Sequence, residues 1–158
     1  MFSIIKRKFA FKNERENFKE KMIQRKQVKS IFLSEALYFM ESVDIEKKFN
    51  VIVEKHQNYM KVYFRSYKQW KELKNYNNKM KFYPPWICFP GILDVQMCFR
   101  EGVGEEYLKF WIKWFLKYDM DERIEYLYTY DIGVNWLEGL SFHGLIETVK
   151  RYKTKINI

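Results

Sequence analysis

The sequence predicts an all-α protein, a single globular domain over residues 1–158 built from five to seven helices. Three observations carry that prediction. Glycine (6) and proline (3) are scarce, so few backbone breaks are enforced. Apolar residues recur at three- and four-residue steps through most of the chain, the period of a helix with one buried face. Hydrophobic residues make up 47% and aromatics 20% of 158 residues, enough to bury a core without disulfide or metal staples.

The elements follow in order. Residues 12–30 are polar and charged, with Glu16 and Glu20 one turn apart beside Lys19 and Lys21, which predicts a solvated helix. Val28, Ile31, Phe32, Ala36, Leu37, Phe39, Met40 and Val43 then recur at helical spacing, with Lys29, Ser34, Glu35 and Glu41 on the complementary arc. Asp44 is a candidate N-cap for a longer helix, about 25 residues or nearly 40 Å. Phe49, Ile52, Val53, His56, Met60, Tyr63, Phe64, Tyr67 and Trp70 form its stripe, and it ends in the helix-poor run Lys74–Asn78.

Tyr83-Pro-Pro-Trp-Ile-Cys-Phe-Pro-Gly91 is the main punctuation. Its two proline sites fix backbone angles and bar a helix across them. Trp86, Ile87 and Phe89 are too apolar for an exposed loop, which predicts that the segment crosses the edge of the core. Residues 92–100 fit both periods: Leu93, Val95, Met97 and Phe99 alternate as in a strand, whereas Ile92, Val95, Gln96 and Phe99 suit a helix. A helix is the preferred reading, with one short strand pair near residues 81–100 as its alternative.

Tyr107, Leu108, Trp111, Trp114, Phe115 and Tyr118 line one face of the next helix, opposite Glu105, Lys109, Lys113 and Lys117. Asp119 with Glu122 reads as a capping box, opening a helix that carries Ile124, Leu127 and Tyr128. After Asp131 and Gly133, Trp136, Leu137 and Leu140 start a short helix. Ser141 or Gly144 separates it from a last one bearing Leu145, Ile146, Val149 and Tyr152, whose basic end, Lys150–Lys155, suits a helix C-terminus.

Charge is laid out unevenly. Residues 1–83 hold 20 Lys/Arg against 9 Asp/Glu, a net of +11, while residues 84–158 hold 9 against 11, a net of −2. Such asymmetry bears on partners and solubility rather than on fold. No stretch approaches the roughly 18 apolar residues of a membrane span. The apolar run before Lys6 is too short for a secretory signal. Cys88 and Cys98 are the only cysteines and make no disulfide framework, so both are expected to be buried, reduced thiols in a cytoplasmic protein.

Catalytic chemistry finds little footing. Of the two histidines, His56 lies in register with an apolar stripe and is expected in the core, while His143 sits in a Phe-His-Gly turn. Metal-ligand spacings, a phosphate loop, a dinucleotide fingerprint and a nucleophile elbow are all missing from the sequence. The acid pairs Glu105-Glu106 and Asp121-Glu122 each stand at a helix start, where capping and the helix dipole account for them. The expectation is a non-enzyme with no catalytic residue, metal or cofactor.

Three binding readings follow. Basic residues from Lys6 to Lys29, with Phe9 and Phe11 among them, suit contact with nucleic acid. Phe2, Ile4, Ile5, Phe9 and Phe11 beside Lys6, Arg7 and Lys8 suggest a short membrane-surface anchor. The acids Asp94, Glu101, Glu105, Glu106, Asp119, Asp121, Glu122, Glu125 and Asp131, with Trp86 as an aromatic anchor, suit the cationic cleft of a protein partner. The passages Pro85–Pro90, Glu106–Trp114 and Asp121–Tyr128 resemble the small, aromatic-rich helical immunity proteins of bacterial polymorphic and contact-dependent growth-inhibition toxin systems. The resemblance spans about residues 84–140. It implies tight binding of a cognate toxin domain, a nuclease, with its active site or substrate face blocked. The basic first half departs from the acidic character usual among nuclease immunity proteins. Nucleic-acid binding through residues 6–29 is the second choice.

Overall fold

The computed structural model describes the backbone of residues 2–92, 94 and 102–157, and the side chains of 10–92, 94, 102 and 104–157. The described residues are mainly helical, as the periodicity predicts, but they include a three-stranded antiparallel sheet. They gather into two compact units, Met1–Phe82 and Tyr83–Ile158. The division falls at the start of the proline-rich punctuation, where the charge balance also changes sign.

The first unit runs α1 (Phe2–Gln24), β1 (Val28–Phe32), α2 (Glu35–Phe39), α3 (Ser42–Phe49), β2 (Ile52–Lys55), β3 (Tyr59–Tyr63) and α4 (Tyr67–Asn78). The solvated helix expected over 12–30 is present as α1, which ends at Gln24 so that residues 28–30 enter β1, and the two amphipathic helices expected over 28–43 and 44–70 do not form as such. Asn50 adopts a left-handed conformation (φ +51°) and caps α3, so the chain turns before Val51. Val51 and Val53, then Met60, Val62 and Phe64, are buried at every second position, which is the period of a strand. β3 lies between β1 and β2, with Ser30 opposite Lys61 and Glu54 opposite Lys61 from the other side. Leu33, Leu37, Ile45, Phe49 and Leu73 complete the core on one face of this sheet. His56 is an exposed residue of the β2–β3 hairpin, stacked on Tyr59 at 4.5 Å between ring centroids, and not a core histidine. The helix spacing that placed it inside belongs to no helix.

The second unit runs α5 (Pro85–Cys88), α6 (Val103–Phe115), α7 (Met120–Thr129), α8 (Val134–Leu140), a kink (Ser141–Leu145) with non-helical backbone at His143 and Gly144, and α9 (Ile146–Lys155). Pro84 is extended and Pro85 takes the first helical position, so the proline pair starts one turn of helix instead of barring it. The ambiguous segment at 93 and 95–101, with Cys98, lies outside the described residues; within 81–92 there is no strand. α6 forms as read, with Tyr107, Leu108, Trp111, Trp114 and Phe115 buried. On α7, Ile124 and Leu127 are buried as expected, but Tyr126 takes the inner position and Tyr128 points outward, 66% exposed. The break between α8 and α9 centres on Gly144, whose φ of +78° favours glycine.

The core of this unit is aromatic. Trp111 stacks on Phe115 at 4.7 Å and donates its indole N–H to the Tyr126 hydroxyl at 3.0 Å. Tyr126 in turn packs on Trp114, Phe115 and Tyr130. Tilted and edge-on rings of this kind combine large apolar burial with favourable quadrupole contacts.

Candidate protein-binding surface

The acidic positions expected to meet a partner divide sharply by what already occupies them. Asp119 is the N-cap of α7: its Oδ1 accepts from the Glu122 N–H at 2.9 Å, and Glu122 Oε2 accepts from the Asp119 N–H at 3.0 Å. This is the capping box read from the sequence, and it commits both carboxylates to helix initiation. Glu105 pairs with Lys109 one turn on, at 2.5 Å. Asp94 is half-buried, and Glu101 lies outside the described residues. Glu106, Asp121, Glu125 and Asp131 are exposed, with no ion-pair partner among the described residues.

Three features of α7 turn those leftovers into a surface. Asp121, Glu125 and Tyr128 stand at i, i+4 and i+7, so they lie along one exposed face of the helix. Arg123, the sole cation of α7, is turned the other way: Nε donates to the Tyr118 carbonyl at 2.8 Å and Nη1 to Thr148 Oγ1 at 3.2 Å. The ridge therefore keeps its negative charge uncompensated by its own helix. Asp131, also exposed, lies just beyond the helix end in a left-handed conformation (φ +43°). Burial first, and the charge of the Asp131 carboxylate second, hold the Tyr152 hydroxyl above its usual pKa.

Trp86 serves the interior of its unit. Its indole N–H donates to the Tyr130 carbonyl at 2.8 Å, and its ring packs edge-on to Trp111 and tilted against Trp136. Sequence spacing could not separate the roles of Trp86 and Tyr128, because both stand among acids and aromatics. Phe142 was missed as well. It is 84% exposed in the kink between α8 and α9, and its polar or small neighbours Ser141, His143 and Gly144 were the available signal.

In the first unit, part of the basic segment is already spoken for. Arg15 makes a bidentate pair with Glu46 at 2.6 and 3.0 Å and also donates to the Val53 carbonyl at 3.1 Å. Lys19 bridges Glu16 and Glu54 at 3.0 and 2.6 Å. Hydrogen bonding to Lys19 lowers the Glu54 carboxyl below its usual pKa, and hydrogen bonding to Glu46 raises that of Arg15. Lys12, Lys21, Arg25, Lys26 and Lys29 are exposed, while the side chains of Lys6, Arg7, Lys8 and the apolar residues from Phe2 to Phe9 lie outside the described residues.

Other reactive groups are subdued. Burial pushes the Cys88 thiol up to about 11, despite its hydrogen bond with Tyr107, which keeps it protonated and unreactive near neutral pH. Burial lowers the His143 imidazole below its usual value. His56 and His143 belong to different units. Among the described residues, no group of three His, Cys, Asp or Glu side chains is placed to hold a metal ion. No described helix is long and apolar enough to cross a membrane. Comparison with known protein families, with curated proteins and with solved structures finds no match for this chain.

Proposed function

We propose that this chain is a cytoplasmic immunity-type protein that binds a cognate bacterial toxin domain, a nuclease, and neutralises it by covering its active site or substrate face. The role is one of binding and not of catalysis. One observation carries the reading: the outer face of α7 presents Asp121 and Glu125, without ion-pair partners among the described residues, beside the exposed ring of Tyr128. A nuclease cleft is cationic because it must hold phosphates. Carboxylates on a preformed helix imitate that charge, speed the encounter, and leave an aromatic ring to anchor the complex. Asp131 just past α7 and Glu106 on α6 are further exposed acids of the same unit.

Nucleic-acid binding through residues 6–29 is the weaker reading, because Arg15 and Lys19 are engaged by Glu46 and Glu54. The expected toxin is encoded in the neighbouring reading frame, as the C-terminal domain of a large secreted protein. Co-expression with that domain should rescue growth, and the two proteins should co-purify. Asp121→Lys with Glu125→Lys should weaken the complex about 100-fold with folding intact, and Tyr128→Ala about tenfold or more. Asp119→Ala is the contrasting change. It should cost about 1 kcal/mol of stability through the lost cap and leave binding nearly unaltered. Full rescue by the double lysine variant would remove α7 from the interface.

A further inference from the structure

The two edges of the sheet are treated differently. At β2, the outward-facing peptides are those of Val53 and Lys55, since Ile52, Glu54 and the hairpin pair His56–Tyr59 face β3. Val53 is closed off from solvent partners: its N–H donates to Glu46 Oε1 at 2.9 Å and its carbonyl accepts from Arg15 Nη2 at 3.1 Å. The Arg15–Glu46 pair thus occupies, at Val53, the place of a neighbouring strand.

The β1 edge has no such cover over most of its length. The bonds from the Phe64 N–H to the Gln27 carbonyl and from the Leu33 N–H to the Asn58 carbonyl flank the β1–β3 register. By alternation, Lys29 and Ile31 also bond to β3, and Val28, Ser30 and Phe32 face outward. The Phe32 carbonyl accepts from Asn77 Nδ2 at 2.9 Å. For the outward N–H and carbonyl of Val28 and Ser30, no partner exists among the described residues. Around them the exposed charges are positive: Arg25 and Lys26 just before the strand, Lys29 within it, and Lys61 directly opposite Ser30. The nearest strand carboxylate, Glu54, is held by Lys19 and by the Tyr63 hydroxyl.

We infer that β1 is a docking edge for an extended, acidic segment of a partner protein, which adds as a fourth strand by pairing with the peptide groups of Val28 and Ser30. Unsatisfied peptide groups on an edge supply the hydrogen bonds for strand addition. The cations supply the selection. They repel a second copy of this chain, which would set Lys29 near its own counterpart, and attract glutamate or aspartate side chains.

The test uses the full chain and a synthetic peptide of about ten residues alternating glutamate with valine, with a lysine–valine peptide as control. Amide hydrogen exchange is followed by NMR at low salt. The acidic peptide should slow exchange at Val28 and Ser30 about tenfold or more while leaving Val53 unchanged, and about 0.5 M salt should reverse the effect. Ser30→Pro removes an outward N–H and should abolish protection at Val28. Lys29→Glu with Lys61→Glu keeps every peptide group and should transfer the response to the lysine–valine peptide, which decides the matter even if the proline variant fails to fold. No slowing at saturating peptide, or equal slowing by both peptides, would overturn the inference. So would slowing that grows with protein concentration alone, because a second copy would then be the occupant.

Discussion

A thiol and two tyrosines in this chain owe their behaviour to what surrounds them. Cys88 is chemically a nucleophile, but it is buried beside Tyr107, whose own hydroxyl donates to the Tyr83 carbonyl at 2.5 Å. With the thiol pushed up to about 11, the thiolate fraction at pH 8 is on the order of one in a thousand. The native protein should therefore resist alkylation at Cys88 by iodoacetamide at pH 8. The measurement is site-resolved mass spectrometry with and without denaturant, and rapid native labelling of Cys88 would contradict the assignment. Residue identity was easy to read here because burial was predicted for the thiol. Exposure was harder. Tyr126 and Tyr128 are both tyrosines among apolar neighbours, and only the packing of α6 against Tyr126 decides which ring is left outside.

At the scale of elements, the sequence was legible wherever a cap agreed with the period. α6 and α7 follow their apolar faces, and α7 opens at the Asp119–Glu122 box. The sheet was illegible for a definable reason. Val51, Val53, Met60, Val62 and Phe64 occur in runs too short to separate a period of 2 from one of 3.6, and Trp70 and Phe49 extend the false stripe at both ends. The signals that were present are Asn50, which stops α3, and the β-branched run Val51-Ile52-Val53. Long-range partners leave no local trace: Arg15 and Glu46 are 31 residues apart. Their pair predicts a measurable coupling. Glu46→Ala leaves Arg15 without its fork and Val53 without an acceptor, and should cost about 2 kcal/mol, discounted from a fully buried pair because both side chains keep some exposure. Arg15→Ala introduced into that background should cost much less than it does alone. Chemical denaturation of the four proteins measures the cycle, and strict additivity would show that the two residues act separately.

At the scale of the molecule, charge and packing divide at the same place. Residues before Tyr83 carry a net of +11 and those from Tyr83 onward a net of −2. Each side also owns a core: an aliphatic one around Leu37, Ile45, Val53 and Leu73, and an aromatic one around Tyr107, Trp111, Phe115 and Leu127. Either unit is well above the roughly 40 residues below which a chain needs disulfides or metals to fold. The all-helical, one-domain reading would make the two halves interdependent, so the contrast is testable. Fragments 1–82 and 83–158 expressed separately should each give a helical circular-dichroism spectrum and a cooperative thermal transition. Only the first should be retained on a cation exchanger at neutral pH, since net charge governs that retention. If neither fragment melts cooperatively, the two cores are not separate folding units, and Asp121, Glu125 and Tyr128 would have to be studied in the intact chain alone.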